Sequence, residues 1–312
     1  MAFTASDVKK LRDMTGVGMM DCKKALTEAG GDMDKAIEYL REKGLATAQK
    51  KAGRIAAEGV CRTYISEDGA AAMVEVNIET DFAAKNDDFR KFADDVAEVV
   101  AKENPSDIDT LLTMKYPGTS KSVADMLQDR IQVIGENIKI RRFVRYDTGI
   151  TAPYIHMGGK IGVLVNMEVS DNIKGSDTVK ELGQDLAMQI AAMRPQYLDQ
   201  SSVPEEEVAR EREIQMNKAL EENKQKNLPE DKARMVAEKM VEGRMKKFFE
   251  DICLTQQAFV KESKITVEKH VANVAKDLGG TIKIVSFVRF ETGEGIEKKA
   301  DNFADEVANM VK

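Results

Sequence analysis

IKIRRFVRYDTG at residues 138–149 returns as IKIVSFVRFETG at residues 282–293. Eight of the twelve aligned positions are identical at a constant separation of 144 residues, and Gly135 matches Gly279 at the same separation. Chance is a poor explanation for this agreement, so the chain contains an internal repeat. We interpret it as two copies of a strand–strand–helix–strand unit, each with a small antiparallel sheet packed against helices. The sequence therefore predicts an α+β fold with a duplicated core.

Apolar periodicity places the other elements of the two copies. In the first copy, alternation at residues 72–78 predicts a half-buried strand, and residues 60–65 predict its hairpin partner. An apolar stripe at helical spacing predicts a helix at residues 89–100. In the second copy, the same patterns predict a strand at residues 161–169 and a helix at residues 179–190.

Three short helices are predicted before the first copy. The first covers residues 6–15 with Ser6 as its N-cap, the second covers residues 19–29, and Asp32 caps the third. A unit of about 45 residues has only a marginal core of its own. We therefore expect these helices to pack against a larger body.

The second copy carries a helical insertion at about residues 203–250. NLPE offers a turn in its middle, so we predict two antiparallel helices that form a projecting, coiled-coil-like hairpin. Its narrow apolar seam is predicted at Val208, Ile214 and Leu220, facing Val236 and Met240. Residues 293–312 predict a last amphipathic helix, with Phe303, Val307 and Met310 on one side.

Composition and charge exclude several classes of protein. The 312 residues are 42% hydrophobic, enough for one large or two smaller domains, and no apolar run is long enough to cross a membrane. The N-terminus lacks the apolar stretch of a signal peptide and carries acids that transit peptides avoid, so we expect a cytoplasmic protein. A net charge of −7 argues against general affinity for nucleic acid.

No motif in the sequence predicts catalysis, a metal site or a cofactor. There is no GxxxxGK[ST] loop, and GVG and GEG lack the context of a dinucleotide site, so direct nucleotide binding is not expected. The three cysteines and two histidines have no metal-binding spacing; inert thiols are favoured over a cysteine–histidine catalytic pair. The segment IRRFVRY could suit RNA, but the repeat replaces Arg141 and Arg142 by Val285 and Ser286, which favours a structural strand.

The segment NIETDFAAKN at residues 77–86 places Phe82 at the junction of a strand and a helix. The ring is in phase with Ile78 and lies seven residues before Phe89, so periodicity favours a core position. Its place at the end of an element also lets it project, since Thr80 or Asp81 could cap the following helix. From the residues alone both interpretations stay open.

Four segments resemble the bacterial translation elongation factor Ts family. They are LRDMTGVGMMDCKKAL at 11–26, ETDFAAKN at 79–86, HMGGKIGVLV at 156–165 and EKMVEGRMKKF at 238–248. The resemblance implies a ubiquitin-associated-like three-helix domain, a two-part core, an inserted helical hairpin and a C-terminal helical module. With it, the predicted domains are residues 1–55, 56–147, 148–292 with the hairpin insertion, and 293–312.

The resemblance also implies a function and a set of contact residues. Members of this family are guanine-nucleotide exchange factors for the GTPase elongation factor Tu, without a cofactor or a catalytic group of their own. By resemblance, Phe82 inserts between two helices of the partner's nucleotide-binding domain, while Asp81 disturbs the region that positions magnesium. The matching motif covers Thr80, Asp81, Phe82 and Ala83, and further contacts are implied at Ile134, His156, Leu11, Met19 and Met20.

Two other classes of function remain as alternatives. The three-helix N-terminus and the long hairpin would also suit a non-enzymatic scaffold or a binder of ubiquitin-like folds. A hydrolase or transferase would need clustered polar groups, and no spacing in the sequence predicts such a cluster. One departure from the family is Ala258, which stands where proline is frequent and could loosen the loop after the hairpin.

Overall fold

The computed structural model describes residues 3–224 and 229–297. They form an α+β fold, as predicted, which contains ten helices and small sheets. The chain divides into two compact units. The first contains the described residues up to Arg145, Ile155–Gly162 and those from Phe290 onward, and the second contains Tyr146–Tyr154 and Val163–Arg289. The finer four-part division remains a prediction, and its C-terminal helix, with Phe303, Val307 and Met310, lies outside the described residues.

Three helices open the chain: α1 (Ala5–Thr15), α2 (Met19–Glu28) and α3 (Met33–Lys51). Thr4 caps α1 in place of the predicted Ser6, because its hydroxyl accepts the Asp7 N–H while the Asp7 carboxylate accepts the Thr4 N–H at 2.8 Å. Asp32 caps α3 as predicted. Val133 packs against the hydrophobic core of these helices, and Arg41 Nη2 of α3 lies 2.6 Å from an Asp125 carboxylate oxygen, so this small bundle packs against the rest of the first unit.

The first sheet has the strand order β1-β2-β3, with β1 (Glu58–Ile65), β2 (Ala71–Ile78) and β3 (Ile138–Tyr146). Strands β1 and β2 are antiparallel, with Glu58 opposite Ile78. Between β2 and β3 lie α4 (Asp87–Glu103), α5 (Ile108–Thr113) and α6 (Val123–Ile134). Phe89 and Phe92 of α4 are fully buried in the cluster that also holds the even-numbered residues of β2.

Strand β2 was predicted to be half-buried, and this is wrong because all eight of its residues are buried. The side chains of Val74 and Val76 belong to the cluster under α4. The opposite face is covered by distant segments of the same unit: Gly293 N–H donates to Glu75, and a Cβ atom on Gly162 would overlap Met73. Only the residues that pack on a strand from elsewhere decide whether its second face meets solvent.

The second sheet has the strand order β4-β5-β8, with β4 (Ile150–His156), β5 (Ile161–Val169) and β8 (Ile282–Glu291). Helix α7 (Asp177–Met193) follows β5 as α4 follows β2. The repeated segment thus supplies β3 in one sheet and β8 in the other, each beside the central strand.

The insertion forms α8 (Glu205–Lys224) and α9 (Glu230–Ile252), and its seam differs from the prediction. Ile214 is exposed, whereas the small residues Ala219 and Ala237 are fully buried where the helices meet. Small side chains let the two backbones approach closely. The seam includes Val208, Leu220 and Met240 as predicted. Val241, Met245 and Phe249 belong to the same hydrophobic cluster.

A short hairpin and one helix follow: β6 (Ala258–Phe259), β7 (Glu262–Thr266) and α10 (Val267–Asp277). The buried Gln189 fixes the loop at Ala258, since its side-chain amide donates to the Ala258 carbonyl and accepts the Val260 N–H. Phe259 stacks on His270 with ring centroids 4.0 Å apart. Among the helices of the described ranges, none is long and apolar enough to cross a membrane.

Candidate functional site

The candidate site is the turn that follows β2. Phe82 has the helical backbone angles φ −66° and ψ −49°, and its side chain is 85% exposed. The next residues, Ala83 and Ala84, are buried in the cluster under the first sheet and begin a 3₁₀ turn, Ala83–Lys85. The backbone is therefore anchored directly after a large aromatic ring that lies in solvent.

Hydrogen bonds to Thr80 fix the direction of this turn. Its hydroxyl oxygen accepts the Ala83 N–H at 3.1 Å, and its carbonyl accepts the Ala84 N–H at 3.1 Å. Thr80 in turn donates its N–H and its hydroxyl to the two carboxylate oxygens of Glu136, at 3.0 and 2.8 Å. Thr80 thus binds the first N–H groups of the turn. The cap of α4 is Asn86 and not, as suggested from the sequence, Thr80 or Asp81.

The segment after α6 supports the turn from the side. Asn137 donates its N–H to Glu79 at 2.6 Å, next to the Thr80–Glu136 hydrogen bonds. Ile134, the last residue of α6, is half-buried against the cluster of the first sheet. Sequence reasoning missed Glu79 and Glu136 as positioning residues; the polar group Glu136-Asn137 directly after the Gly135 helix stop was the available signal.

Asp81 is a surface carboxylate beside the ring. Lys85 Nζ lies 2.9 Å from its Oδ2, and this hydrogen bond, followed by the lysine charge, holds the pKa of Asp81 below its usual value. Lys160 adds a weaker effect in the same direction. Asp81 is therefore an anion at neutral pH, and because both groups of the pair are exposed, the pair contributes little to stability.

The remaining predicted contact residues differ in exposure. His156 is exposed at the end of β4, and Met19 and Met20 are exposed at the start of α2. Leu11 is fully buried in the core of the N-terminal helices with Cys22. A buried side chain offers no surface to a partner, so the expectation of a direct contact at Leu11 is corrected: Leu11 packs the bundle.

The described residues were compared with the geometry of a metal site, and their cysteines with that of a reactive thiol. Within residues 3–224 and 229–297, no group of three or more histidine, cysteine or acidic side chains could hold a metal ion. All three cysteines are buried and free, and burial raises the pKa of Cys61 to about 12 and of Cys253 to about 11. Thiols that stay protonated at neutral pH are poor nucleophiles.

Comparison with known proteins decides the family. The family model described as "Elongation factor TS" matches residues 79–294, more than half of the chain, and the match begins at the candidate turn. The chain belongs to the elongation factor Ts family. The resemblance seen in the sequence motifs is thereby confirmed.

Individual elongation factor Ts proteins match along their whole length. The protein of that name from Magnetococcus marinus is 47% identical over 314 aligned residues, which cover 100% of both chains. The one from Clostridium acetobutylicum is 47% identical over 99% of this chain and 98% of its own, and the one from Clostridium kluyveri is 48% identical over 99% of each. As a member of the elongation factor Ts family, the chain is a factor of translation elongation in protein biosynthesis.

Proposed function

We propose that this protein is the guanine-nucleotide exchange factor for elongation factor Tu and acts in the cytoplasm. It promotes GDP release by disturbing the magnesium and phosphate site of the GTPase, and it makes or breaks no covalent bond. The observation that carries the proposal is Phe82, 85% exposed on a turn that Thr80 and Glu136 hold in place.

An exchange factor must bind the nucleotide-free GTPase more tightly than the GDP-bound GTPase. A factor with equal affinity for both states does not shift the equilibrium between them. The coupling is reciprocal, so incoming nucleotide also weakens the hold of the factor. A GTPase holds its nucleotide through a phosphate loop and a magnesium ion. A ring that fits only the distorted site would therefore favour release.

The magnitude of one such contact is useful but not sufficient. Burial of a phenylalanine side chain is worth about 1.5–3 kcal/mol. If the contact forms only with the distorted GTPase, it changes relative nucleotide affinity by about one to two powers of ten. Further contacts must contribute the rest, and we assign them to Asp81, Ile134, His156, Met19 and Met20, with Ala83 anchoring the turn.

The anchoring of the ring supports a role in contact with a partner. A flexible loop would lose conformational entropy on binding, whereas the turn around Phe82 is already ordered by Ala83, Ala84 and Glu136. Asp81 adds a fixed negative charge directly beside the ring. Such a charge repels phosphate oxygens and competes for the groups that hold a cation.

Stopped-flow measurement of GDP release tests the proposal. Elongation factor Tu loaded with a fluorescent GDP is mixed with excess unlabelled GDP, with and without the protein. We expect the protein to accelerate release by several powers of ten at saturation. A scaffold or a binder of ubiquitin-like folds would leave the release rate at its spontaneous value, and that result would overturn the proposal.

A further inference from the structure

A second exposed apolar side chain, Met157, lies in a loop with unusual backbone geometry. Met157 is 67% exposed and has a φ of +49°, and the two glycines after it have φ of +68° and +113°. Positive φ is natural for glycine but brings the Cβ atom of other residues too close to the backbone. A strained, solvent-exposed methionine therefore needs a reason beyond the packing of its own chain.

The loop is held firmly by the first unit, to which residues 155–162 belong. A Cβ atom on Gly159 would lie 2.9 Å from Val60 Cβ, so Gly159 is pressed against β1. Thr292 donates its hydroxyl to the Gly159 carbonyl at 3.1 Å and its N–H to the Lys160 carbonyl at 2.9 Å. Met157 thus extends from a fixed base into solvent.

This base lies at the same end of the β1–β2 pair as the Phe82 turn. Glu58 is opposite Ile78, four residues before Phe82, and the Glu58 carboxylate lies 3.7 Å from Lys160 Nζ. Arg90 connects the two segments: its Nε donates to the Ala84 carbonyl at 3.3 Å, and its Nη2 would lie 3.9 Å from a Cβ atom on Gly158. The Met157 loop and the Phe82 turn are therefore neighbours within the first unit.

We propose that Met157 is a second apolar contact for the GTPase, on a surface continuous with Phe82. This inference rests on the proposed exchange function and adds a second contact residue to it. The thioether side chain is unbranched and polarisable, which lets it fill an irregular apolar depression beside the one that takes the ring. The left-handed backbone at Met157 holds that side chain outward in the free protein.

The test compares Met157→Ala and Met157→Gly with wild-type protein and with Ile65→Ala. Ile65 is also exposed, at 44%, but lies at the opposite end of β1 and serves as the matched control. The measurements are the dissociation constant for nucleotide-free elongation factor Tu and the rate of GDP release. We expect both Met157 variants to bind about tenfold more weakly, as loss of most of a buried methionine predicts, and Ile65→Ala to match wild type.

Thermal unfolding separates this effect from a folding defect. Met157→Gly should unfold at a temperature no lower than wild type, because glycine adopts positive φ without strain. Suppose that wild type and Ile65→Ala accelerate GDP release and that both Met157 variants bind and accelerate release to the same extent. The role of Met157 is then refuted, while the exchange function stands. If wild type itself fails to accelerate release, both proposals fall.

Discussion

At the scale of single residues, two phenylalanines of the same apolar phase have opposite roles. Phe82 and Phe89 are seven residues apart, yet Phe89 is fully buried beneath the first sheet while Phe82 is 85% exposed. The difference arises because β2 ends at Ile78 and the backbone is helical at Phe82, so that Ala83 and Ala84 are buried while the ring of Phe82 lies in solvent. The apolar spacing places Phe82 in line with the core residues, but it does not show that the backbone turns the ring into solvent.

Phe82→Ala should separate activity from stability. We expect unchanged unfolding by circular dichroism, because an exposed ring contributes little to the core, and GDP release slowed by about tenfold to a hundredfold. Phe89→Ala is the matched variant: it should lose about 3–5 kcal/mol of unfolding free energy through the cavity it leaves. An unchanged release rate for Phe82→Ala would remove the ring from the mechanism.

At the scale of elements, the candidate site is a turn that is held in place by a second segment of the chain. Residues 79 and 80 at the end of β2 are hydrogen-bonded to residues 136 and 137 after α6. The Thr80–Asp81–Phe82 motif could be found in the sequence because it is contiguous. Glu136 could not be assigned to this motif, because the local sequence does not indicate which distant carboxylate accepts a hydrogen bond from Thr80.

Glu136→Ala should weaken exchange without touching the partner. Two hydrogen bonds to Thr80 are lost, each worth about 0.5–1.5 kcal/mol, so the turn should sample other conformations. We expect GDP release to slow by about threefold to tenfold, with faster amide hydrogen exchange at Ala83 and Ala84. Glu136→Gln keeps one acceptor oxygen, so its GDP release rate should lie between those of the wild type and Glu136→Ala. Wild-type release together with faster amide exchange would show that the order of the turn does not matter.

At the scale of the whole molecule, the first unit contains a buried carboxylate that joins three segments distant in sequence. Glu75 of β2 accepts Arg141 Nη1 at 3.0 Å, Arg142 Nε at 2.6 Å and Gly293 N–H at 2.8 Å. Arg142 also lies over the Phe290 ring at 4.2 Å. Two of the arginines that suggested an RNA-binding strand, Arg141 and Arg142, thus bind a buried carboxylate of their own unit.

The repeat shows an apolar alternative to this ionic cluster. VEVNIE at residues 74–79 corresponds to VLVNME at residues 163–168 on the central strand of the other sheet. Leu164 therefore stands where the first copy has Glu75, and it is fully buried. Val285 and Ser286 replace the two arginines in the same copy. One copy thus combines a carboxylate with two arginines, and the other copy has an uncharged residue at all three positions.

Glu75→Leu alone should destabilise the protein by about 3 kcal/mol, since it leaves two partly buried guanidinium groups without their acceptor. The triple variant with Arg141→Val and Arg142→Ser should recover more than half of that loss. Recovery stays incomplete because the Gly293 N–H still lacks its acceptor. Urea unfolding followed by circular dichroism measures both values; equal destabilisation in the two variants would contradict energetic coupling within the cluster.

The sequence by itself determined the α+β class, the duplicated segment, the principal strands and one long helix of each copy, and the family, because periodicity and contiguous motifs are local properties of the chain. Only the tertiary structure decided that both faces of β2 are buried, that Phe82 is exposed, and that Glu136 and the Met157 loop lie beside it. Burial depends on what packs against an element from elsewhere. For this site those segments are residues 134–137, 155–162 and 290–294, which only the folded chain brings together.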